Sequence, residues 1–228
     1  MSGVSEKTRK RRPPPQKKGQ AEESGASAVA LPAPFAAWFA RRGWQPRDHQ
    51  LALIAKSRAR RSTLLIAPTG AGKTLAGFLP SLISLTEAPR PRAGAGLRTL
   101  YISPLKALAE DISRNLMTPV SEMGLKVSIE TRTGDTSVAR RARQRVKPPQ
   151  ILLTTPEQVA LMLSNADAGY VFADLDTIIL DELHALAPSK RGDLLSLGLA
   201  RLNTFAPSLM TLGLSATVAR PSELMSYL

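Results

Sequence analysis

The sequence predicts an α/β domain built on a doubly wound parallel sheet, and three observations carry that prediction. Short runs that are apolar on both faces alternate with helical patterns, as the buried strands of a parallel sheet do. A glycine-rich loop joins one of these runs to a helix, and a pair of acidic residues closes another. Ligands of such a sheet gather at the carboxyl ends of its strands, and every motif below falls at one.

Taken in chain order, residues 1–30 read as a disordered basic tail. Lys7, Arg9, Lys10, Arg11, Arg12, Lys17 and Lys18 surround Pro13-Pro14-Pro15, and a Glu/Ser/Gly/Ala stretch follows. So little apolar surface cannot offset the entropy of ordering. Such a tail is either a solvated, self-repelling segment or a non-specific nucleic-acid contact. Residues 31–228 read as one domain. Strand-like runs occupy 63–67, 98–103, 127–131, 151–154, 177–180 and 211–214, and helices are expected to begin near Gly72, Pro104, Ser137, Pro156, Asp193 and Pro221. No internal repeat is visible.

A chain of 228 residues suits a single domain and a tail, and 43% apolar content is enough for a sizeable core. The formal charge is +13, from 31 basic against 18 acidic residues, and favours a polyanionic partner. The absence of cysteine removes disulfides, thiol nucleophiles, zinc fingers and iron–sulfur clusters, and makes a reduced cytoplasm the expected compartment. No run approaches the roughly 18 apolar residues of a membrane span, so no membrane partner is expected. The stretch 26–40 imitates a signal peptide, but Pro32 and Pro34 interrupt it and Glu22-Glu23 precede it.

Ala67-Pro68-Thr69-Gly70-Ala71-Gly72-Lys73-Thr74 follows a strand and opens a helix. Gly70 and Gly72 let the backbone curl until several N–H groups converge on phosphate oxygens, and the helix amino terminus adds its dipole. Lys73 is expected to reach the β- and γ-phosphates of ATP, and the Thr74 hydroxyl to ligate Mg²⁺. The generic loop has glycine where this chain has Ala67. The run 177–180 then ends in Asp181-Glu182-Leu183-His184. Asp181 can hold Mg²⁺ through water opposite Thr74, and Glu182 stands where a base would deprotonate the attacking water. Ser215-Ala216-Thr217 closes the last run. His49 carries no such context and reads as a surface residue.

Two helix starts resemble each other. Ser103-Pro104-Leu105-Lys106 reads as a serine N-cap with proline at the first helical position, and Thr155-Pro156-Glu157-Gln158 as a capping box. Open helix starts on one sheet edge suit sugar–phosphate oxygens as well as plain capping. Arg140, Arg141, Arg143, Arg145 and Lys147 form a basic helix face with no acid between Ser137 and Gln150. That face is either solvated or an added attraction for nucleic acid.

In this order, A-x-T-G-x-G-K-T, D-E-L-H and S-A-T resemble the superfamily 2 helicases. More closely, the chain is similar to the ligase-associated, Lhr-like DEXH-box helicases at 64–80, 100–108 (LYISPLKAL), 130–135 (ETRTGD), 152–159 (LLTTPEQV), 190–193 and 213–218 (GLSATV). The similarity runs over essentially 31–228. It implies the first of two RecA-like P-loop NTPase domains, because only eleven residues follow Thr217. It implies that ATP is bound by Gln50 at the adenine and by Pro68, Thr69, Gly70, Ala71, Gly72, Lys73 and Thr74 at the phosphates. His184, with Ser215, Ala216 and Thr217, would couple nucleotide state to strand movement. The resemblance places Lys106, Thr133, Gly134, Thr154 and Pro156, beside Ser103 and Pro104, along a single-stranded DNA track. It also implies an ATP-dependent DNA ligase and nucleases of a repair set as partners, in a bacterial, nucleoid-associated setting. Two other readings stay open: a P-loop ATPase acting on a non-nucleic-acid substrate, and a truncated, non-catalytic ATP- and DNA-binding module.

Overall fold

The structure is a computed structural model that describes residues 30–68, 70–87 and 96–228. Apart from Ala30, the expected basic tail lies outside the described residues. In chain order the elements are α1 (Ala33–Arg41), α2 (Asp48–Arg58), β1 (Thr63–Ile66), α3 (Lys73–Glu87), β2 (Thr99–Ile102), α4 (Lys106–Glu122), β3 (Ile129–Arg132) and α5 (Val138–Val146). Then come β4 (Ile151–Thr154), α6 (Pro156–Leu163), α7 (Ala168–Phe172), β5 (Thr177–Leu180), α8 (Leu183–Leu186), α9 (Lys190–Phe205), β6 (Met210–Ser215) and α10 (Pro221–Met225). The six strands form one sheet in the order β1-β6-β5-β2-β4-β3, and each neighbouring pair is parallel.

Alternation along the strands explains the double winding. Successive side chains of a strand point to opposite faces. Leu100, Ile102, Leu152, Ile178 and Leu180 enter a core shared with Val159, Phe172, Leu195 and Leu202 of α6, α7 and α9. Tyr101, Ile151, Leu153 and Ile179 enter the opposite core, with Phe35 and Trp38 of α1, Phe78 and Leu82 of α3, and Ile112 and Leu116 of α4. Both faces need cover, so the central strands read as unbroken apolar runs. The last strand starts and ends one residue wider than expected, and the third starts two residues later than expected and ends one later, at Arg132. β3 is an edge strand and mixes Glu130 and Arg132 with its apolar residues, which blurs its pattern.

The strand order sorts the carboxyl ends. β1, β6 and β5 stand side by side, and so do β2, β4 and β3. The phosphate loop, Ser215-Ala216-Thr217 and Asp181-Glu182 therefore share one half of the sheet edge. Ser103-Pro104, Thr154-Pro156 and Thr133-Gly134 share the other. The boundary lies between β5 and β2. Among the described residues, no helix is long and apolar enough to cross a membrane.

Candidate nucleotide and nucleic-acid site

The loop after β1 is folded around its own lysine. Gly70 and Gly72 take φ of +78° and +75°, a left-handed conformation that a Cβ would penalise. The chain thereby turns back far enough for the Lys73 ammonium to donate to the carbonyls of Ala67 at 2.8 Å and Pro68 at 3.1 Å. Lys73 is only 8% exposed. Ala71 N–H donates to the Pro68 carbonyl, and Ala67 N–H to the Ser215 carbonyl, which ties the loop to the end of β6. Thr74 lies half-buried in the first turn of α3. Thr69 lies outside the described residues.

On the neighbouring strands, Asp181 is buried at the end of β5. One carboxylate oxygen accepts from Glu182 N–H at 2.9 Å, and the other accepts from the Tyr101 hydroxyl on β2. Burial pushes the Asp181 carboxyl above its usual range, opposed by the Tyr101 hydrogen bond, the Glu182 N–H and the Lys73 charge. Burial and the neighbouring Asp181 push the Tyr101 phenol far upward, so it stays a donor. Glu182 takes φ +48° and ψ +41°, a left-handed conformation costing about 1–3 kcal/mol in a residue with a Cβ. The turn aims its carboxylate at His184, whose Nε2 lies 3.4 Å from Glu182 Oε2. On the other side of the ring, His184 Nδ1 accepts from Ala216 N–H at 3.4 Å and lies 3.3 Å from Ser215 Oγ. The network thus assigns the proton to Nε2, and one imidazole bridges Glu182 to the end of β6. The hydroxyl of buried Ser215 donates to the Ala216 carbonyl at 2.8 Å, and Thr217 is exposed.

Beside the loop, a cavity of about 480 Å³ is lined by Phe39, Trp44, Arg47, Gln50, Gly72 and Leu75. Gln50 is 3% exposed, and its side-chain carbonyl already accepts from Arg47 N–H at 3.0 Å. Phe35, Trp38 and Phe39 are core residues of α1, whereas Trp44 is half exposed. His49 is half-buried rather than on the surface, with a buried Nε2 that lacks a partner among the described residues.

The other half of the edge corrects two expectations. Ser103 does not cap α4. That helix starts at Lys106 with Leu105 as N-cap and no side-chain cap, because the Ser103 backbone still follows β2, with its N–H on the Thr154 carbonyl. Thr155 is the N-cap of α6 with Pro156 next, but the capping box does not form. The Thr155 hydroxyl instead serves Glu157, whose carboxyl is lowered to about 2, chiefly by Arg191. The Gln158 side-chain oxygen is buried without a partner among the described residues.

Ser103, Thr133 and Thr154 are buried, and Pro156 is as well; Gly134 and Lys106 are exposed. The Thr154 hydroxyl donates to the Arg132 carbonyl, Thr133 N–H donates to Thr136 Oγ1, and Lys106 pairs with Asp135 at 2.5 Å. The basic helix is less free than its sequence suggests. Arg140 and Arg143 pair with Glu130, Arg145 pairs with Asp167, and Arg141 donates to the Thr133 and Gly134 carbonyls.

Glu157 gives a pH signature. Its folded value is depressed, so its contribution to stability is complete above its ordinary value of 4.5 and is lost as pH falls toward about 2. In chemical denaturation, the stability gap between the unaltered chain and Glu157→Gln should shrink over that window. A gap that stays constant would assign the depressed carboxyl to another residue.

Comparison with known proteins adds the following. A family model described as DEAD/DEAH box helicase matches residues 47–225. The Lhr helicase/probable uracil glycosylase of Mycolicibacterium smegmatis is 42% identical over 178 residues, covering 73% of this chain and 12% of that protein. The Lhr helicase/uracil glycosylase of Escherichia coli is 40% identical over 212 residues, covering 84% and 13%. The ATP-dependent helicase Lhr-Core of Methanocaldococcus jannaschii is 35% identical over 209 residues, covering 87% and 25%. The chain thus spans about an eighth to a quarter of the length of these relatives. Among solved structures, the Mycobacterium smegmatis helicase Lhr bound to ssDNA and AMP-PNP matches with a TM-score of 0.77 and 39% identity, over 85% of this chain and 26% of that one.

Proposed function

The chain belongs to the DEAD/DEAH box helicase family, and from that premise we propose that it is the ATP-binding half of an ATP-dependent translocase that tracks single-stranded DNA. The observation that carries this reading is the His184 bridge. It joins Glu182, beside the phosphate loop, to Ser215-Ala216 on the next strand, so a change at the γ-phosphate has a direct mechanical path out of the pocket.

In this reading Lys73 exchanges the Ala67 and Pro68 carbonyls for β- and γ-phosphate oxygens. Gln50 presents its remaining amide hydrogens to the adenine edge of the adjoining cavity. Glu182 takes a proton from water as the water oxygen bonds to the γ-phosphorus and the bond to the β–γ bridging oxygen breaks. The site suits Mg²⁺: it offers the Asp181 carboxylate and the Thr74 hydroxyl, two hard oxygen donors. A small cation that keeps its waters and takes phosphate oxygens fits such a sparse set. When bound, it would neutralise charge on the phosphates. On the other half of the edge, Ser103, Pro104, Lys106, Thr133, Gly134, Thr154 and Pro156 would hold the sugar–phosphate backbone without reading bases. Much of that contact must come from backbone groups, since Ser103, Thr133 and Thr154 are buried. A cytoplasmic DNA-repair role beside an ATP-dependent ligase and nucleases belongs to the same proposal, through the Lhr-like resemblance.

The described residues form one six-stranded sheet, whereas the family's ATP lies between two such domains. The second supplies arginines to the γ-phosphate, a contribution of about 10³–10⁵ in rate. The 228 residues alone should therefore bind ATP and, weakly, single-stranded DNA, with only trace hydrolysis and no unwinding. Strand displacement and DNA-stimulated ATP turnover should be measured for the chain alone and for the chain joined to a second motor domain. Duplex unwinding by the 228 residues at the rate of the two-domain protein would refute the mechanism.

A further inference from the structure

Resting on the reading that Pro104 and Pro156 line the track, we propose that Arg191 is the positioning residue that holds these two strand-end loops in register for the DNA backbone.

Arg191 sits in the first turn of α9, on neither loop. Its guanidinium forks onto both carboxylate oxygens of Glu157, with Nε 2.5 Å from Oε1 and Nη2 2.9 Å from Oε2, while Nη1 donates to the Pro104 carbonyl. Glu157 follows Pro156 at the start of α6, after β4. Pro104 stands in the loop after β2, the strand paired with β4. One planar group thus fixes the spacing and orientation of two adjacent helix entries. Upstream, the Ser103 N–H ties the strand end to the Thr154 carbonyl; past that point Leu105 is 61% exposed, and the Ser103 hydroxyl reaches the Leu105 carbonyl only at 3.4 Å.

The base of Arg191 is fixed by close packing. A Cβ on the next residue, Gly192, would lie 2.5 Å from the Ala187 carbonyl, 2.8 Å from the Leu186 carbonyl and 2.8 Å from the Tyr227 hydroxyl. The turn is therefore pressed against the end of α8, the helix that carries His184. The fork stands on the segment that leaves the nucleotide site, and it reaches the track.

A lysine in this place keeps the charge but cannot satisfy three acceptors in a fork. That separates positioning from simple attraction. The test is fluorescence anisotropy of a labelled oligothymidylate at low salt, with a fluorescent ATP analogue titrated in parallel, for the 228-residue chain and its Arg191→Lys and Glu157→Gln variants. Positioning predicts that both variants weaken DNA binding by about three- to tenfold, the cost of ordering a loop on binding, with nucleotide affinity held within about twofold. Glu157→Gln is the sharper arm. It removes a negative charge near the track, so electrostatics alone would tighten DNA binding, whereas loss of register weakens it. Unchanged binding by Arg191→Lys, tighter binding by Glu157→Gln, or a parallel fall in nucleotide affinity would each overturn the assignment. Failure of the unaltered chain to bind the oligonucleotide would overturn the track reading and this inference together.

Discussion

Glu182→Gln should leave ATP bound and scarcely turned over. In the two-domain enzyme, phosphate release is expected to fall by on the order of a hundredfold or more, the range associated with loss of a general base. The geometry makes the substitution clean. Glutamine matches glutamate in shape, tolerates the left-handed backbone at this position as poorly and as well as glutamate does, and keeps an oxygen to accept from His184 Nε2, 3.4 Å away. Among the described residues no hydrogen bond joins the phosphate loop to Glu182, so the loop should be undisturbed. Single-turnover hydrolysis with parallel nucleotide titration separates the outcomes. Near-normal turnover moves the base to another residue, and a loss confined to ATP affinity would make Glu182 a binding residue.

Lys73→Ala should remove most nucleotide binding while the fold survives. A hydrogen bond to a charged group contributes about 1.5–3 kcal/mol, so ATP affinity should drop roughly ten- to more than a hundredfold. The folded chain loses the ammonium that closes the loop on the Ala67 and Pro68 carbonyls, a local change at the carboxyl edge of the sheet. Alanine is a good residue for the first turn of α3, so the far-ultraviolet dichroism should match that of the unaltered chain. Binding of a fluorescent ATP analogue is the measurement, and unchanged affinity would remove the loop from the nucleotide site.

The elements and the half of the site that sits on them were legible in the chain itself. Strand periodicity is local, so 151–154 and 177–180 were readable to the residue, and the strand-to-helix step at Lys73 followed from Gly70 and Gly72 just before it. Asp181, Glu182 and Ser215 could be placed at strand ends for the same reason. Capping was less secure. Ser103 and Thr155 have the right composition for caps, but the Ser103 backbone N–H stays on the Thr154 carbonyl and continues the strand, and the Thr155 hydroxyl serves Glu157.

Only the tertiary structure decided which strand ends are neighbours. The order β1-β6-β5-β2-β4-β3 gathers the residues proposed to bind nucleotide on one half of the edge and those proposed to line the track on the other. It brings Tyr101 to Asp181 across 80 positions, His184 to Ser215 across 31, and Arg191 to Pro104 across 87. A tyrosine inside an apolar run reads as core, and an arginine at a helix start reads as solvated. Nothing in either neighbourhood names the distant partner. Periodicity records which way a side chain points from its own element, whereas a partner is set by the sheet order that burial of both faces selects for the whole chain.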